Sequence, residues 1–323
     1  THRRRGLMRR MLESSLGAAQ ERGDAVSILI AAEWPIYGRF GYAPATLSAD
    51  YTLRSSRPGA SCPGEPARVR AVRPEELGTL APEIFAAARR GRAGQIDRSA
   101  VWYHRVLGLN GYERYEGLPP NWFIHDGDDG PDGLLAWKAT GGDSLIPPLG
   151  TLEVWDMATA TESAYRDFWA YLSGIDLVDE VKLRNRPVDE EVRWLLADGR
   201  SLVMTEQVDL TWLRLLDVPA ALAARRYAAP GEVVLEVIDE DTGGPAAGRY
   251  RLAADGEDVE CERTDKNADL EVTQRGLASI YLGGFTLGQL LVSGAAREHT
   301  PGTVARVDAM FSTPLAPWNA TWF

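Results

Sequence analysis

The strongest constraint on the fold lies at the front of the chain, where a helical apolar pattern runs straight into a strand-like one. Leu7, Met8, Met11, Leu12, Ser15, Leu16 and Ala19 recur three and four residues apart, marking one face of a helix over Gly6 to about Arg22 with Gly23 as its stop. Ala25 to Ala32 (AVSILIAA) is then a nearly continuous apolar run, the pattern of a strand covered on both faces. A helix delivered into a buried strand is an α/β unit, and all-helical and all-strand architectures are excluded at this point. Glu33 to Tyr42 follows with two Gly and one Pro that break regular structure, and Thr46 to Arg54 alternates as an edge strand does.

Ser55 to Pro66 (SSRPGASCPGEP), with three Pro and two Gly among small polar residues, reads as a linker, and the pattern restarts beyond it. A strand at Val69, helices over Pro74 to Arg90 and Ala100 to Leu109, strands near 121–124, 134–139 and 151–157, and a helix over Glu162 to Leu172 give a second mixed section. A third begins near Val208, with helices expected at 218–225, 273–281, 286–293 and 303–311 and strands at 232–238, 248–252 and 259–263. The expected domains are therefore 1–66, 67–206 and 207–323, all of mixed α/β or α+β class, without repeats or low-complexity tracts.

Charge is unevenly spread. The whole chain carries −11, yet its first ten residues hold five Arg and no acid, so the remainder carries −16. A cationic start suits an anionic ligand, whereas an acidic body disfavours nucleic acid and suits a cationic small molecule or a lysine side chain; the plain alternative is a surface charged for solubility. No apolar run approaches the roughly 20 residues of a membrane helix and no signal-peptide layout is present, so no membrane span is expected and the location implied is the cytoplasm, with secretion by a route that needs no signal peptide left open. Cys62 and Cys261 form no CxxC, and His2, His104, His125 and His299 are scattered, so no metal is expected.

Arg3-Arg4-Arg5-Gly6-Leu7-Met8 stands directly ahead of the first helix. The first amides of a helix lack internal partners and the macrodipole is positive there, so Arg donors and a close-approach Gly form a cradle for pyrophosphate; the bland reading is a solvated basic helix start. The order Arg3xxGly6xMet8, helix, apolar strand, Tyr37 resembles the acyl-CoA N-acyltransferases of the GNAT superfamily. ThrHisArgArgArgGlyLeuMetArg together with IleTyrGlyArgPheGlyTyr is similar to the Eis (enhanced intracellular survival) acetyltransferases in particular. The resemblance implies a partial GNAT domain, a second GNAT-like domain without the phosphate loop, and a C-terminal domain like sterol carrier protein. Since the sequence opens with Thr1 on the motif, residues 1–66 are expected to be the C-terminal part of the catalytic domain.

The same resemblance implies that Arg4, Arg5, Gly6, Leu7, Met8 and Arg9 line the pyrophosphate of acetyl-CoA, and that Ala32 and Glu33 contact the co-substrate near its reactive end. Ala32 and Trp34-Pro35 depart from the Ser and Gly-Gly more usual around that Glu. Tyr37 is implied as general acid: a thiolate leaving group with a conjugate acid near about 8.5 is matched by a phenol near about 10. The ending Pro317-Trp318-Asn319-Ala320-Thr321-Trp322-Phe323 is too aromatic to fray and is expected to be buried. The family's terminal carboxylate acts as base, which points to Phe323. An α-carboxyl near about 3.5 then needs desolvation or a relaying water. The implied function is N-acetylation of an amine by direct attack in a ternary complex, on an aminoglycoside, a polyamine or a protein lysine, within a homohexamer. The alternative is an inactive carrier whose third section holds a lipid, although Leu277, Ile280, Tyr281, Leu287, Leu290 and Leu291 fall at core spacing.

Overall fold

The computed structural model describes residues 5–109, 120–140, 150–239 and 246–323. Helix α1 (Leu7–Glu21) opens on Gly6, which turns the incoming chain in the left-handed region at φ 68°, and it stops just before Gly23 at φ 80°. Strand β1 (Val26–Ile30) follows. The segment expected to be irregular is instead two tight helical turns, α2 (Trp34–Tyr37) and a 3-10 turn over Gly38–Phe40, because Pro35 at the start of α2 costs no helical N–H and Gly41 ends the turn at φ 74°. Then come β2 (Ala43–Pro44), β3 (Leu47–Arg54), β4 (Val69–Ala71), α3 (Pro74–Ala88), α4 (Ala100–Val106), β5 (Asn121–Gly127), β6 (Gly130–Thr140), β7 (Gly150–Thr159), α5 (Glu162–Ser173), β8 (Val178–Arg186) and β9 (Leu202–Asp209). The chain closes with β10 (Thr211–Leu215), α6 (Val218–Ala223), β11 (Gly231–Ile238), β12 (Gly248–Asp255), β13 (Asp258–Arg263), β14 (Leu270–Thr273), α7 (Gln274–Ile280), α8 (Leu287–Leu290), β15 (Ala296–Glu298) and α9 (Thr303–Phe311).

Contacts group these elements into two compact units, residues 1–47 with 209–317, and residues 48–208 with 318–323. The first unit holds a three-stranded sheet, β1-β10-β2, and a five-stranded sheet, β13-β12-β11-β14-β15. Strand β1 differs from expectation: each of its residues is only half-buried, because it lies at the margin of its sheet and pairs antiparallel with β10 through Val26↔Leu215 to Ile30↔Thr211. Strand β10 and the short β2 are buried throughout. Leu16 and Ala19 of α1 close on Phe40, Tyr42, Trp212 and Leu216. The larger core of this unit gathers α6, α7 and α9 over the five-stranded sheet, and each fully buried Leu, Ile or Phe there contributes roughly 1.5–3 kcal/mol.

The second unit is one seven-stranded sheet, β4-β5-β6-β7-β8-β3-β9. Its strands alternate faces: Trp122, Ile124, Leu134 and Ala136 join the cluster under α3 and α4, while Phe123, Leu135 and Trp137 turn toward Phe168, Trp169 and Leu172 of α5. Strand β3, expected at an edge, is interior, flanked by β8 and β9, which explains why Leu53 and Tyr51 are buried. The Pro/Gly-rich stretch after it is stitched along α5 rather than slack. Cys62 N donates to Ser173 Oγ at 3.1 Å, Glu65 N to Asp167 Oδ1 at 2.7 Å, and a Cβ on Gly64 would meet Asp167 and Ala170 inside 3.0 Å. Strands β7 and β8 are parallel, joined by α5, and pair only from Gly150↔Val178 to Val154↔Leu183; beyond that point they part. Among the described residues no helix is long and apolar enough to cross a membrane.

Candidate active site

In the first unit the proposed phosphate loop lies at the start of α1. Arg4, like Arg3, falls outside the described residues. Arg5, Gly6, Leu7, Met8 and Arg9 are exposed, and Arg9 Nε donates to Glu13 Oε1 at 2.9 Å along the helix surface. Among the described residues no side chain caps the helix and no acid stands in its first turn, so no described group takes up its leading amides or opposes its dipole. A Cβ built on Gly6 would touch nothing within 4 Å, which leaves open space over the turn. An uncapped, acid-free N-terminus of a long helix with cationic neighbours fits the pyrophosphate of acetyl-CoA.

Ala32 and Glu33 are exposed at the exit of β1, Glu33 standing ahead of the first turn of α2. Trp34 fixes that exit: its Nε1 donates to Asp209 Oδ1 at 2.9 Å, and its ring meets Trp212 edge-on at 5.1 Å. Tyr37 ends α2, half-buried against the cluster that also takes in Leu12 of α1 and Leu29 and Ala31 of the β1 segment. The helix carrying the loop and the turn carrying the phenol therefore share one packing cluster. The two tyrosines of the IYGRFGY stretch are differently used. Tyr42 is buried and its hydroxyl is hydrogen-bonded to Ser27 Oγ at 2.6 Å, with burial pushing its pKa up despite that bond and the nearby Arg214 charge. The Tyr37 hydroxyl has no hydrogen-bond partner among the described residues.

Phe323 belongs to the second unit, and its surroundings there revise the expectation of a wholly buried tail. Burial stops at Thr321: Asn319 and Thr321 are enclosed and Trp318 nearly so, but Trp322 is 58% and Phe323 50% exposed. The buried stretch fills the opening where β7 and β8 part. Trp318 Nε1 donates to Asn185 Oδ1 at 3.1 Å, Asn185 Nδ2 donates to the Asn319 carbonyl at 3.1 Å, and the Arg186 guanidinium lies 5.2 Å from the Trp318 ring centre. Asn185 adopts φ 50°, a left-handed conformation that Asn tolerates better than most side chains, and its N–H is held by Asp50 Oδ1 at 2.9 Å. Trp318 N reaches the Ala93 carbonyl at 3.0 Å and Ala320 N reaches Gln95 Oε1 at 3.1 Å. Beside the tail is a cavity of about 410 Å³ walled by Trp102, Trp122, Trp155 and Trp322, with Glu153 and Lys182 on its lining. Sequence reading singles out none of Gln95, Arg98, Asp156 or Asn185, since each becomes a tail contact only through strands far from it along the chain.

Elsewhere in the first unit, Leu277, Ile280 and Leu287 are buried, Tyr281 and Leu290 pack beside them, and Leu291 is exposed. Glu236, Glu271 and His299, distant in sequence, come within 4.8 Å of one another on the five-stranded sheet, with Arg249 Nη2 on Glu236 Oε1 at 3.2 Å.

A loop at a helix start, a following strand and a nearby phenol, with a second α/β sheet and a separate helix-backed sheet, define an acetyltransferase of the GNAT class with a sterol-carrier-like domain. Family comparison agrees: residues 1–45 and 94–215 match acetyltransferase (GNAT) domains and residues 218–320 a sterol carrier protein domain. An uncharacterized N-acetyltransferase of Streptomyces griseus is 37% identical over 98% of the chain and 78% of its own length. N-acetyltransferase Eis of Mycobacterium tuberculosis is 32% identical over 100% of the chain and 78% of its own length. Among solved structures, Eis1 from Mycobacterium abscessus superposes with a TM-score of 0.85 at 31% identity, covering 100% of this chain and 79% of that one. The chain belongs to the Eis family of GNAT N-acetyltransferases.

Proposed function

We propose that this acetyltransferase moves the acetyl group of acetyl-CoA directly onto the amine nitrogen of a cationic acceptor, an aminoglycoside, a polyamine or a protein lysine, without an acyl-enzyme. Arg4, Arg5, Gly6, Leu7, Met8 and Arg9 hold the pyrophosphate, and Ala32 and Glu33 border the reactive end. The amine attacks the thioester carbon, and as the C–S bond breaks the Tyr37 hydroxyl protonates the departing thiolate. The carboxylate of Phe323 accepts the proton lost by the amine. The cavity beside the tail gives the acceptor aromatic walls on which a cation can lie. Residues 1–66 act as the cofactor-holding part, 67–206 as the second GNAT-like domain and 207–323 as the sterol-carrier-like scaffold, assembled as a homohexamer. The inactive-carrier alternative is not favoured by relatives that are N-acetyltransferases along the whole chain.

The observation that carries this reading is the start of α1 over Gly6, uncapped and acid-free among the described residues, tied through one cluster to Tyr37. Its test is release of CoA thiol, with acetyl-CoA and a panel of amines, by the purified enzyme. Tyr37→Phe is expected to lower kcat roughly 10²- to 10⁴-fold with little change in the KM for acetyl-CoA. An unchanged kcat would remove Tyr37 from the mechanism.

A further inference from the structure

Arg98 is the most deeply enclosed cation touching the tail, and its hydrogen-bonding capacity is divided in an unusual way. Its side chain is 1% exposed and that of Asp156 12%. Nη1 donates to Asp156 Oδ2 at 2.6 Å and Nη2 to Asp156 Oδ1 at 3.2 Å, a two-point pairing of fork with carboxylate. The remaining reach goes to the tail: Nε donates to Thr321 Oγ1 at 2.9 Å and Nη2 to the Ala320 carbonyl at 3.2 Å. Phe85 and Trp102 stand at 4.0 and 4.4 Å from the guanidinium and set its plane. Thr321 is braced in turn by a reciprocal pair, Thr321 N to Asn319 Oδ1 at 3.0 Å and Asn319 Nδ2 to the Thr321 carbonyl at 2.9 Å. Beyond Thr321 nothing comparable among the described residues holds Trp322 and Phe323, which lie half or more in solvent.

An overhang of two residues spans about 7 Å when extended, so the orientation of its root decides where the last carboxyl group can go. A buried ion pair adds little to stability compared with apolar side chains of the same volume, so the Arg98–Asp156 pair is better explained by the direction it enforces than by energy it supplies. We propose that Arg98, aligned by Asp156, is a positioning residue for acyl transfer: it locks Ala320 and Thr321 so that the Phe323 carboxylate projects in one direction. This inference rests on the reading that the Phe323 carboxylate accepts the amine proton.

The test is a cycle of steady-state measurements on the purified enzyme. The paired change Arg98→Met with Asp156→Leu removes both charges together and leaves no lone buried ion, and thermal unfolding with far-UV circular dichroism reports whether the fold survives. It is combined with removal of Phe323, and Thr321→Val serves as the mild variant that takes away only the Nε partner. Expected are a 10- to 100-fold loss of kcat for the paired change at constant KM for acetyl-CoA, a 2- to 5-fold loss for Thr321→Val, and at most a 2-fold further loss from either once Phe323 is gone. If removing Phe323 cuts kcat while the paired change and Thr321→Val leave it alone, the positioning role is wrong and the carboxylate's role stands. Equal losses from the paired change with and without Phe323 would overturn the positioning role as well. Should removal of Phe323 leave kcat unchanged, the reading beneath the inference fails and the inference goes with it. If the paired variant does not fold, Thr321→Val in the same cycle decides between these outcomes.

Discussion

Gly6 combines a backbone that most residues resist with open space above it, and both matter for an anionic ligand. At φ 68° an L side chain costs roughly 1–2 kcal/mol, so Gly6→Val should push the turn out of shape and withdraw the amides behind it. Because the site is exposed, the cost falls on binding more than on folding. The expected result is a rise of about five- to thirty-fold in the KM for acetyl-CoA with an unfolding temperature near that of the parent, measured by kinetics and by thermal melts of one preparation. Burial pushes the Cys62 thiol up to about 11, against a smaller opposing effect of its contact with Ser173, and burial with the nearby Asp217 and Glu262 charges pushes Cys261 up to about 12, so both are neutral thiols at ordinary pH.

Elements of the second unit are joined by a buried histidine. His125 of β5 is fully enclosed, with Nδ1 2.5 Å from Asp132 Oδ1 on β6 and Nε2 2.8 Å from Asp167 Oδ2 on α5. Asp167 also receives the Glu65 amide and Asp132 the Thr161 hydroxyl at 2.6 Å, so the imidazole is the centre of a lattice tying hairpin, crossover helix and the 55–66 stretch. His125→Leu leaves two carboxylates, one of them buried, facing an apolar side chain and should cost about 3–5 kcal/mol in urea unfolding. A change below 1 kcal/mol would show that the lattice is incidental. In the first unit Asp269 plays a comparable part between β11 and β14. Burial alone would raise its pKa, but the amide of Val234 at 3.0 Å, the Thr300 hydroxyl at 2.7 Å and the Arg306 charge outweigh it and hold the carboxyl below its ordinary value. A depressed folded-state pKa gives stability that is present above the unfolded value near about 3.9 and is lost as pH falls through the folded one. Urea unfolding at pH 5, 4, 3 and 2 should therefore show a shallower loss for Asp269→Asn than for the parent; parallel curves would assign the acid loss to other groups.

For the whole molecule, local periodicity located most helices closely. Expected spans at 6–22, 74–90, 162–172 and 303–311 correspond to Leu7–Glu21, Pro74–Ala88, Glu162–Ser173 and Thr303–Phe311, because amphipathic spacing and stop residues are properties of neighbours along the chain. The stretch 270–273 is too short to carry a pattern of its own, yet it is a strand, since its parallel partner β11 and antiparallel partner β15 hold it on both sides. Strand β3 reads as an edge because alternation reports two unlike faces, not the number of neighbours; only the arrival of β8 and β9 makes it interior. The same limit applies to β1, whose apolar run implies two covered faces, whereas among the described residues it pairs with β10 alone. Two features were set by local sequence: the helical start with its Arg-Gly loop, and the order of loop, strand and tyrosine that carries the family resemblance. What tertiary structure alone decided is the fate of the last six residues. Ala93, Gln95, Arg98, Asp156 and Asn185 meet the tail across more than a hundred intervening positions, so no window of neighbouring residues contains the pattern, and burial ending at Thr321 depends on where two parallel strands happen to part.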